Sequence, residues 1–240
     1  MKTIKIFIPA IIILLSLQAC NKGRIWGIQG RGSDITETRN AGAFIGVDLR
    51  CDADVEVVRD STFSIEITGQ ENILKVLDTK VENGNLIIDY KKRVWRHNQI
   101  KIIVHTANIQ SVFISGSGNI NIQNEMNANT FDLKISGSGD INTAALNVQT
   151  LTAHISGSGN IKIPGGVVQA GKFSISGSGN INSEFAVSST MDAKISGSGN
   201  ITVNVSETLN ASISGSGDIK YRGKPTVTVS ISGSGKVTYI

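Results

Sequence analysis

The second half of the chain repeats one hydrophobic and polar pattern seven times. Each copy reads Ile-Ser-Gly-Ser-Gly-X followed by Ile or Val, and successive copies are 18–21 residues apart. That spacing is typical of one coil in a stacked β-solenoid. Apolar residues two and four positions before most copies, such as Leu133 and Phe131, indicate strands that lead into a corner. The copies begin at Ile114, Ile135, Ile155, Ile175, Ile195, Ile213 and Ile231. We therefore predict an all-β chain with a parallel β-helix of about seven coils over residues 109–240.

Residues 41–108 alternate with the same period of two, but the lengths are irregular. We expect a mostly β segment that caps or starts the solenoid. The residues from Asn72 to Val81 fit a short helix or a strand equally well. Cys51 falls on the apolar face of its strand, where a small buried thiol is expected.

The N-terminus has the pattern of an export signal. Lys2 and Lys5 precede an apolar run that ends at Leu17-Gln18-Ala19-Cys20, and this run is too short to span a membrane comfortably. The last four residues resemble a bacterial lipobox, which implies removal of residues 1–19 and lipidation of Cys20. An ordinary signal peptide with an incidental cysteine is the alternative. Residues 20–40, rich in glycine and charges, are expected to form a flexible tether.

The charge balance argues against nucleic acid as a partner. The chain has 23 Lys and Arg and 19 Asp and Glu, and the two lysines of the signal leave a mature net charge of only +2. A charge this small does not favour binding to nucleic acid. No cofactor motif is present, since Ser-Gly-Ser-Gly lacks the lysine of a phosphate-binding loop.

The position after the second glycine is polar in every copy. If the coils are in register, these residues stack as a structural ladder, although Gly- and Asp-rich rolls use similar positions for calcium. Only two of the positions are acidic, which favours the structural ladder. Its members are Asn119, Asp140, Asn160, Asn180, Asn200 and Asp218, and Lys236 follows in the last copy. We also expect ladders of serine hydroxyls, and glycines that allow close walls or a positive φ at the corner.

Catalytic motifs are weak. His97, His105 and His154 are too scattered to indicate a triad or a metal site. The acids of the repeat region do not share a register, so they do not form the paired carboxylates of a glycosidase. They are Glu125, Asp132, Glu184, Asp192 and Glu207.

The densest charged segment runs from Lys91 to Lys101. A basic strip with an aromatic residue suits an anionic glycan, a lipopolysaccharide phosphate or nucleic acid, whereas solvated hairpin ends and charged edge strands have the same composition. The candidate binding residues are Lys91, Lys92, Arg93, Trp95, Arg96, His97 and Lys101.

Four motifs together resemble the GIN-domain family, the autotransporter adhesin head domains of Bacteroidetes-type envelope lipoproteins. They are Asn72-Ile73-Leu74, Asn83-Gly84-Asn85-Leu86, the Ile-Ser-Gly-Ser-Gly-Asn-Ile copies, and the stretch from Ile219 to Pro225. The resemblance covers residues 44–240 and implies a right-handed β-helix with an adhesive or interaction role at the cell envelope, with a glycan or a protein as its partner. It transfers no catalytic residues. The alternatives are a polysaccharide lyase or hydrolase on the same scaffold, and a structural lipoprotein that faces the periplasm.

Overall fold

The structure is a computed structural model that describes residues 27–240 and is nearly all-β. The first half contains helix α1 (Glu71–Leu74) and the strands β1 (Ile28–Gln29), β2 (Asp34–Asn40), β3 (Gly46–Leu49), β4 (Asp54–Arg59), β5 (Ser64–Gln70), β6 (Leu77–Glu82), β7 (Asn85–Tyr90), β8 (Val94–Arg96) and β9 (Lys101–Thr106). The repeat region contains β10 (Ser111–Ile114), β11 (Asn119–Ile122), β12 (Met126–Ile135), β13 (Ile141–Asn142), β14 (Leu146–Ile155), β15 (Asn160–Lys162), β16 (Gly166–Ile175), β17 (Asn180–Ile195), β18 (Asn200–Gly215), β19 (Ile219–Gly223), β20 (Thr226–Gly233) and β21 (Val237–Tyr239). The predicted parallel β-solenoid is confirmed, with about six turns.

Three parallel sheets run along the solenoid. The first face holds the strands that lead into each Ser-Gly-Ser-Gly corner, in the order β7, β3, β10, β12, β14, β16, β17, β18, β20. The second face holds the strands that leave the corner, in the order β9, β4, β11, β13, β15, β17, β18, β19, β21. The third face consists of the first halves of β12, β14 and β16 and the middle of β17 and β18.

The core is a stack of like residues. Ile135 pairs with Ile155, and Ile155 pairs with Ile175, so the isoleucines before the corner form one buried column. The isoleucines after the corner, such as Ile161, form a second one. Each fully buried side chain of this size contributes about 1.5–3 kcal/mol. The repeat therefore supplies its own core from coil to coil.

The corner glycines are required by the approach of one coil to the next along the solenoid axis. A Cβ on Gly179 would lie 2.0 Å from the backbone oxygen of Gly159, and one on Gly157 would lie 1.9 Å from that of Gly137. We expected these glycines to allow the approach of opposite walls or a positive φ. The atoms nearest to the added Cβ belong instead to the preceding coil, and most copies have no positive φ. Among the repeat glycines only Gly215 and Gly233 have a positive φ, at 143° and 141°.

The serines of the repeat all face solvent. The expected hydroxyl ladders are wrong, because within residues 27–240 no hydrogen bond joins the serine hydroxyls of successive copies, and backbone bonds such as Ser178 N to Gly157 O, at 3.1 Å, hold the corners together instead.

The first coil lies between two later parts of the chain. Strand β3 pairs with β7 on one side and with β10 on the other, and β4 lies likewise between β9 and β11. After the first coil (β3 and β4), the chain therefore pairs along one edge of that coil through β7 and β9. It then passes to the opposite edge, where β10 and β11 begin the repeats. The returning segment covers the N-terminal end with antiparallel pairs, β6 with β7 and β5 with both β9 and β2. We call this covered end the capped end.

Two open points of the N-terminal half are resolved by this arrangement. The stretch from Asn72 to Val81 contains both elements, the end of α1 and most of β6. The expected tether over residues 20–40 is shorter, because β2 pairs with β5 along its whole length and β1 pairs with β8. Arg39 fixes β2, since its guanidinium donates to the backbone oxygens of Leu74 and Leu77, each at 2.9 Å.

The C-terminal end of the solenoid is open within the described residues. Val229 and Ile231 continue the inward column of β18 but are 48% and 44% exposed. The two ends of the solenoid are therefore different.

Candidate functional site

The candidate basic segment forms an enlarged corner at the capped end. Ile88 and Ile102 are in register with Leu49 and Val55 of the first coil. Thirteen residues separate Ile88 from Ile102, whereas five separate Leu49 from Val55. The segment is thus an insertion of eight residues at the position where the repeats have Ser-Gly-Ser-Gly. The first coil, which lies next to this insertion, has Cys51 and Ala53 where the repeats have glycine.

Strand β8 within the insertion pairs in parallel with β1, the first strand of the described chain. The backbone N–H of Ile28 donates to Arg93 O at 2.8 Å, and that of Gly30 donates to Arg96 O at 2.7 Å. Asn72 holds β1 from the other side, since it donates to Gln29 O at 2.8 Å. The basic segment therefore lies directly beside the first described residues of the chain.

The seven candidate residues do not form one continuous strip. Lys91 forms an ion pair with Asp78 at 3.2 Å, and Lys101 lies on β9 opposite Asp54. His97 turns inward and its side chain is only 7% exposed. The other four, Lys92, Arg93, Trp95 and Arg96, are all exposed on the insertion.

His97 belongs to a small polar cluster that fastens the insertion to the first coil. Its Nε2 lies 3.1 Å from Asp52 Oδ2 and 3.0 Å from the Tyr90 hydroxyl, which donates to Asp52 Oδ1 at 2.8 Å. Burial, with added effects from Cys51 and Asp52, raises the pKa of the Tyr90 hydroxyl well above its ordinary value. A phenol held in its protonated form is a poor general base. The three side chains satisfy one another, and we assign them a structural role.

Cys51 lies beneath this cluster and is 5% exposed. Burial raises the pKa of its thiol to about 12, so the nucleophilic thiolate is disfavoured. The buried position expected from the alternation is confirmed. Cys20, the expected lipidation site, and residues 1–19 lie outside the described residues.

The polar ladder follows the second glycine of each corner. The side-chain oxygen of Asn180 accepts from Asn200 N at 3.2 Å and from Asn200 Nδ2 at 2.9 Å, and Asn180 Nδ2 donates to Asn160 Oδ1 at 2.8 Å. Most rungs likewise accept the backbone N–H of the next coil. These further acceptors are Asn119, Asp140, Asn200 and Asp218.

The geometry explains which residue types the ladder uses. Each rung needs an acceptor for the coil that follows it, and both Asn and Asp provide one. Lys236 is the last rung, where no described coil follows, and its backbone N–H donates to Asp218 Oδ1 at 2.9 Å. Asp54 is a further rung that sequence reasoning missed, since it accepts from Asn119 Nδ2 at 2.8 Å. Asp54 could not be recognised as a rung from the sequence, because the first coil lacks the Ser-Gly-Ser-Gly motif that marks the other rungs.

A second surface that the sequence did not indicate lies on the third face. A column of four outward residues there begins with two amides and ends with two exposed valines, namely Asn127, Asn147, Val167 and Val187. A shallow groove of about 550 Å³ beside the column is also lined by Gln149 and Gln169. Phe185, 64% exposed, lies two residues before Val187 and likewise faces outward, since the intervening Ala186 is buried. We call the column, Gln149, Gln169 and Phe185 the third-face strip.

Contacts made by Asn147 and Arg222 hold the strip in place. Asn147 Nδ2 donates to Glu125 Oε1 at 2.6 Å, while its Oδ1 accepts from Val167 N at 3.1 Å. The Arg222 guanidinium forms an ion pair with Glu184 at 2.5 Å and lies over the Phe185 ring at 5.7 Å from its centre. Arg222 therefore holds the Phe185 ring in place while the ring stays exposed to solvent.

Comparison with known proteins identifies the family. The family model described as "Putative auto-transporter adhesin, head GIN domain" matches residues 43–225. This chain belongs to the GIN-domain family. The resemblance seen in the sequence is thereby confirmed, and membership indicates an adhesin-like protein that is extracellular or associated with the cell envelope.

Solved structures share the GIN-domain fold over most of this chain. A "putative adhesin" from Bacteroides fragilis is 26% identical, with a TM-score of 0.84, and the match covers 89% of this chain and all (100%) of that one. A "putative lipid binding protein" from Parabacteroides distasonis is 25% identical, with a TM-score of 0.73 and coverages of 89% and 99%. A "putative adhesin" from Parabacteroides merdae, 21% identical with a TM-score of 0.71 and coverages of 89% and 98%, shows the fold alone. No match was found among curated proteins.

The acids of this GIN-domain solenoid are not arranged as a glycosidase pair. Asp132 and Asp192 share one column of the first face but lie three coils apart, about 14 Å at the usual strand spacing. Paired catalytic carboxylates lie about 5–9.5 Å apart. Glu184 and Glu125 are engaged with Arg222 and Asn147. Across residues 27–240, no group of three or more His, Cys, Asp or Glu is placed to hold a metal ion. In the same range, no helix has the length and apolar character needed to cross a membrane.

Proposed function

We propose that this chain is a lipid-anchored, non-catalytic binding module of the cell envelope that recognises a glycan through the third-face strip. The observation that carries the proposal is the combination of solvent-facing amides and exposed apolar side chains along four successive coils. Membership of an adhesin head family supports a role in recognition.

The strip has the chemistry that a sugar chain requires. Asn and Gln side chains both donate and accept hydrogen bonds, so they suit hydroxyl groups. Phe185 and Val167, which are 64% and 57% exposed, offer apolar surface for the C–H faces of sugar rings. Because the backbone of Val167 is paired on both sides, with Asn147 and Val187, little ordering is needed there on binding, and preorganisation of this kind favours affinity.

The anchor is the part of the proposal that comes from the sequence. The apolar run that ends at Leu17-Gln18-Ala19-Cys20 supports export and lipidation at Cys20. Acylation would attach the module stably to a membrane. Detection of acyl chains on Cys20 by mass spectrometry, and their loss in Cys20→Ala, tests this step directly.

Glycan binding is tested with the mature chain that carries Cys20→Ala. We expect binding to a subset of glycans on an array, and we expect the double variant Gln149→Ala/Phe185→Ala to lose it. Neither side chain is buried, so the variant keeps the fold. The matched control is Gln123→Ala/Tyr239→Ala, which removes an exposed amide and an aromatic that is 61% exposed elsewhere. Equal loss in both double variants would contradict the assignment of the strip.

Two other outcomes would replace the proposal. Cleavage of a bound polysaccharide by the wild type would show an enzyme, and a lyase or hydrolase assay on the glycans that bind measures it. Protection of the protein from protease added to intact cells would place it on the periplasmic side, as expected for a structural lipoprotein.

A further inference from the structure

The capped end carries a group of cations that the fold does not neutralise. Within the described residues Lys92, Arg93 and Arg96 are exposed and form no ion pair. Three acids of the same cap are already engaged, in the pairs Lys75–Glu71, Lys80–Glu82 and Lys91–Asp78. The insertion, residues 89–101, itself contains one acid, Asp89, against the five cations Lys91, Lys92, Arg93, Arg96 and Lys101. The insertion therefore presents a net positive surface to solvent.

An exposed aromatic residue lies in the middle of these cations. Trp95, 51% exposed, borders an open groove that is also lined by Gly27, Ile28, Arg31 and Asn72. Tryptophan is enriched where a protein meets the headgroup region of a bilayer, because its ring is apolar while its N–H remains polar. We call Lys92, Arg93, Trp95 and Arg96 the cap surface.

The described part of the chain begins at this same surface. Gly27 lies only seven positions after Cys20, so the connecting chain spans at most about 25 Å. The first face runs through nine strands from β7 to β20, which places the open end about 38 Å away at the usual spacing. A membrane that holds Cys20 is therefore within reach of the cap surface but not of the open end.

We infer that the cap surface docks on an anionic lipid membrane and orients the solenoid with its open end pointing away from it. This inference rests on the lipid anchor in the proposed function, which brings the cap surface to the membrane. Basic residues next to an anchor gain about 1 kcal/mol each from anionic headgroups. The anchor then supplies attachment and the cap surface supplies orientation, which leaves the third-face strip free for a ligand.

The Asp52–His97–Tyr90 cluster makes this orientation rigid. It joins the insertion to the first coil through three side-chain contacts of 2.8–3.1 Å, and β8 is also paired with β1. The cations are thus fixed relative to the solenoid axis, unlike charges on a free tether.

The test measures binding of the mature chain with Cys20→Ala, which lacks acyl chains, to vesicles. We expect it to cosediment with phosphatidylcholine vesicles that contain phosphatidylglycerol, and to be released by salt because exposed charges are screened. Pure phosphatidylcholine vesicles should not bind it. The triple variant Lys92→Gln/Arg93→Gln/Arg96→Gln should lower the partition coefficient on the order of 100-fold. The control Lys172→Gln/Lys194→Gln/Lys220→Gln removes the same charge from exposed positions on the repeats and should leave it unchanged.

Tryptophan fluorescence gives a second measurement. In a Trp26→Phe background, emission from Trp95 should shift to the blue on anionic vesicles and be quenched by spin-labelled lipid. Equal loss in the two triple variants, no preference for anionic vesicles, or binding to a soluble polyanion such as heparin without binding to vesicles would overturn the inference. These vesicle results are independent of the glycan array, and acylation of Cys20 is measured separately, so the inference and the proposed function can fail separately.

Discussion

Replacement of Gly179 by alanine tests the explanation of the corner. The new Cβ would lie 2.0 Å from Gly159 O and 2.9 Å from Ile155 Cγ2, and backbone atoms cannot move aside as a flexible side chain can. Relief requires the two coils to separate by about 1 Å at a strand spacing of about 4.8 Å. That separation strains the backbone hydrogen bonds between the same two coils, such as Ser178 N to Gly157 O at 3.1 Å and Ser176 N to Ile155 O at 2.8 Å.

The magnitude follows from two contributions. Overpacking of a close contact costs about 1–3 kcal/mol, and weakening of two backbone hydrogen bonds adds about 0.5–1.5 kcal/mol each. We expect a loss of about 2–6 kcal/mol, which at about 3 °C per kcal/mol lowers Tm by about 6–18 °C in a chain of this size.

Thermal unfolding followed by circular dichroism measures this effect, with Gly165→Ala as the control. Gly165 lies in the same region of the solenoid, but its Cβ would meet only Ala145 Cβ, at 3.9 Å. This substitution should be neutral or slightly stabilising, because alanine restricts the unfolded chain. If Gly179→Ala and Gly165→Ala change Tm equally, the close approach of the coils does not explain the glycines.

Two further predictions concern the ladder and the buried thiol. Asn180→Ala removes three ladder hydrogen bonds and should lower the free energy of unfolding by about 1–3 kcal/mol. Lys236→Ala should leave it almost unchanged, because no described rung depends on the Lys236 side chain. Equal shifts of the urea midpoint in the two variants would contradict the ladder. In the Cys20→Ala chain, Cys51 should react with a thiol reagent at neutral pH only after denaturation, since burial raises its pKa from 9.0 to about 12. Folding favours the neutral thiol, so its contribution to the free energy of unfolding is complete below pH 9 and is lost as the pH rises toward 12. Rapid modification of the native protein, or a stability that does not fall over this pH range, would argue against the buried thiol.

The repeat is sufficient to predict the architecture. Period-two alternation around Ile135 and its equivalents specifies which side chains face the core, and the nearly constant spacing specifies coils in register. Both are local properties of the sequence, so the all-β solenoid could be predicted from it. The polar ladder could be placed for the same reason, from Asn119 to Asp218.

The capped end depended on contacts that the sequence does not encode locally. The alternation in residues 41–108 indicated strands but not that β3 lies between β7 and β10, because pairing partners are chosen by packing between segments far apart in the chain. The same kind of contact separates His97 from the exposed cations of the basic segment, since His97 turns inward to contact Asp52 and Tyr90. Contacts with β8 and β5 also hold much of the expected tether as the strands β1 and β2.

The sequence alone determined the repeating frame, because each coil buries its apolar face against a copy of itself. Tertiary structure decided the reason for the glycines, which depends on the distance between Gly179 and Gly159, residues that are neighbours only after stacking. It also decided the surfaces available for function. Outward residues such as Asn147 and Val167 become one strip only when their coils are adjacent, and Arg93 lies beside Ile28 only through the pairing of β8 with β1.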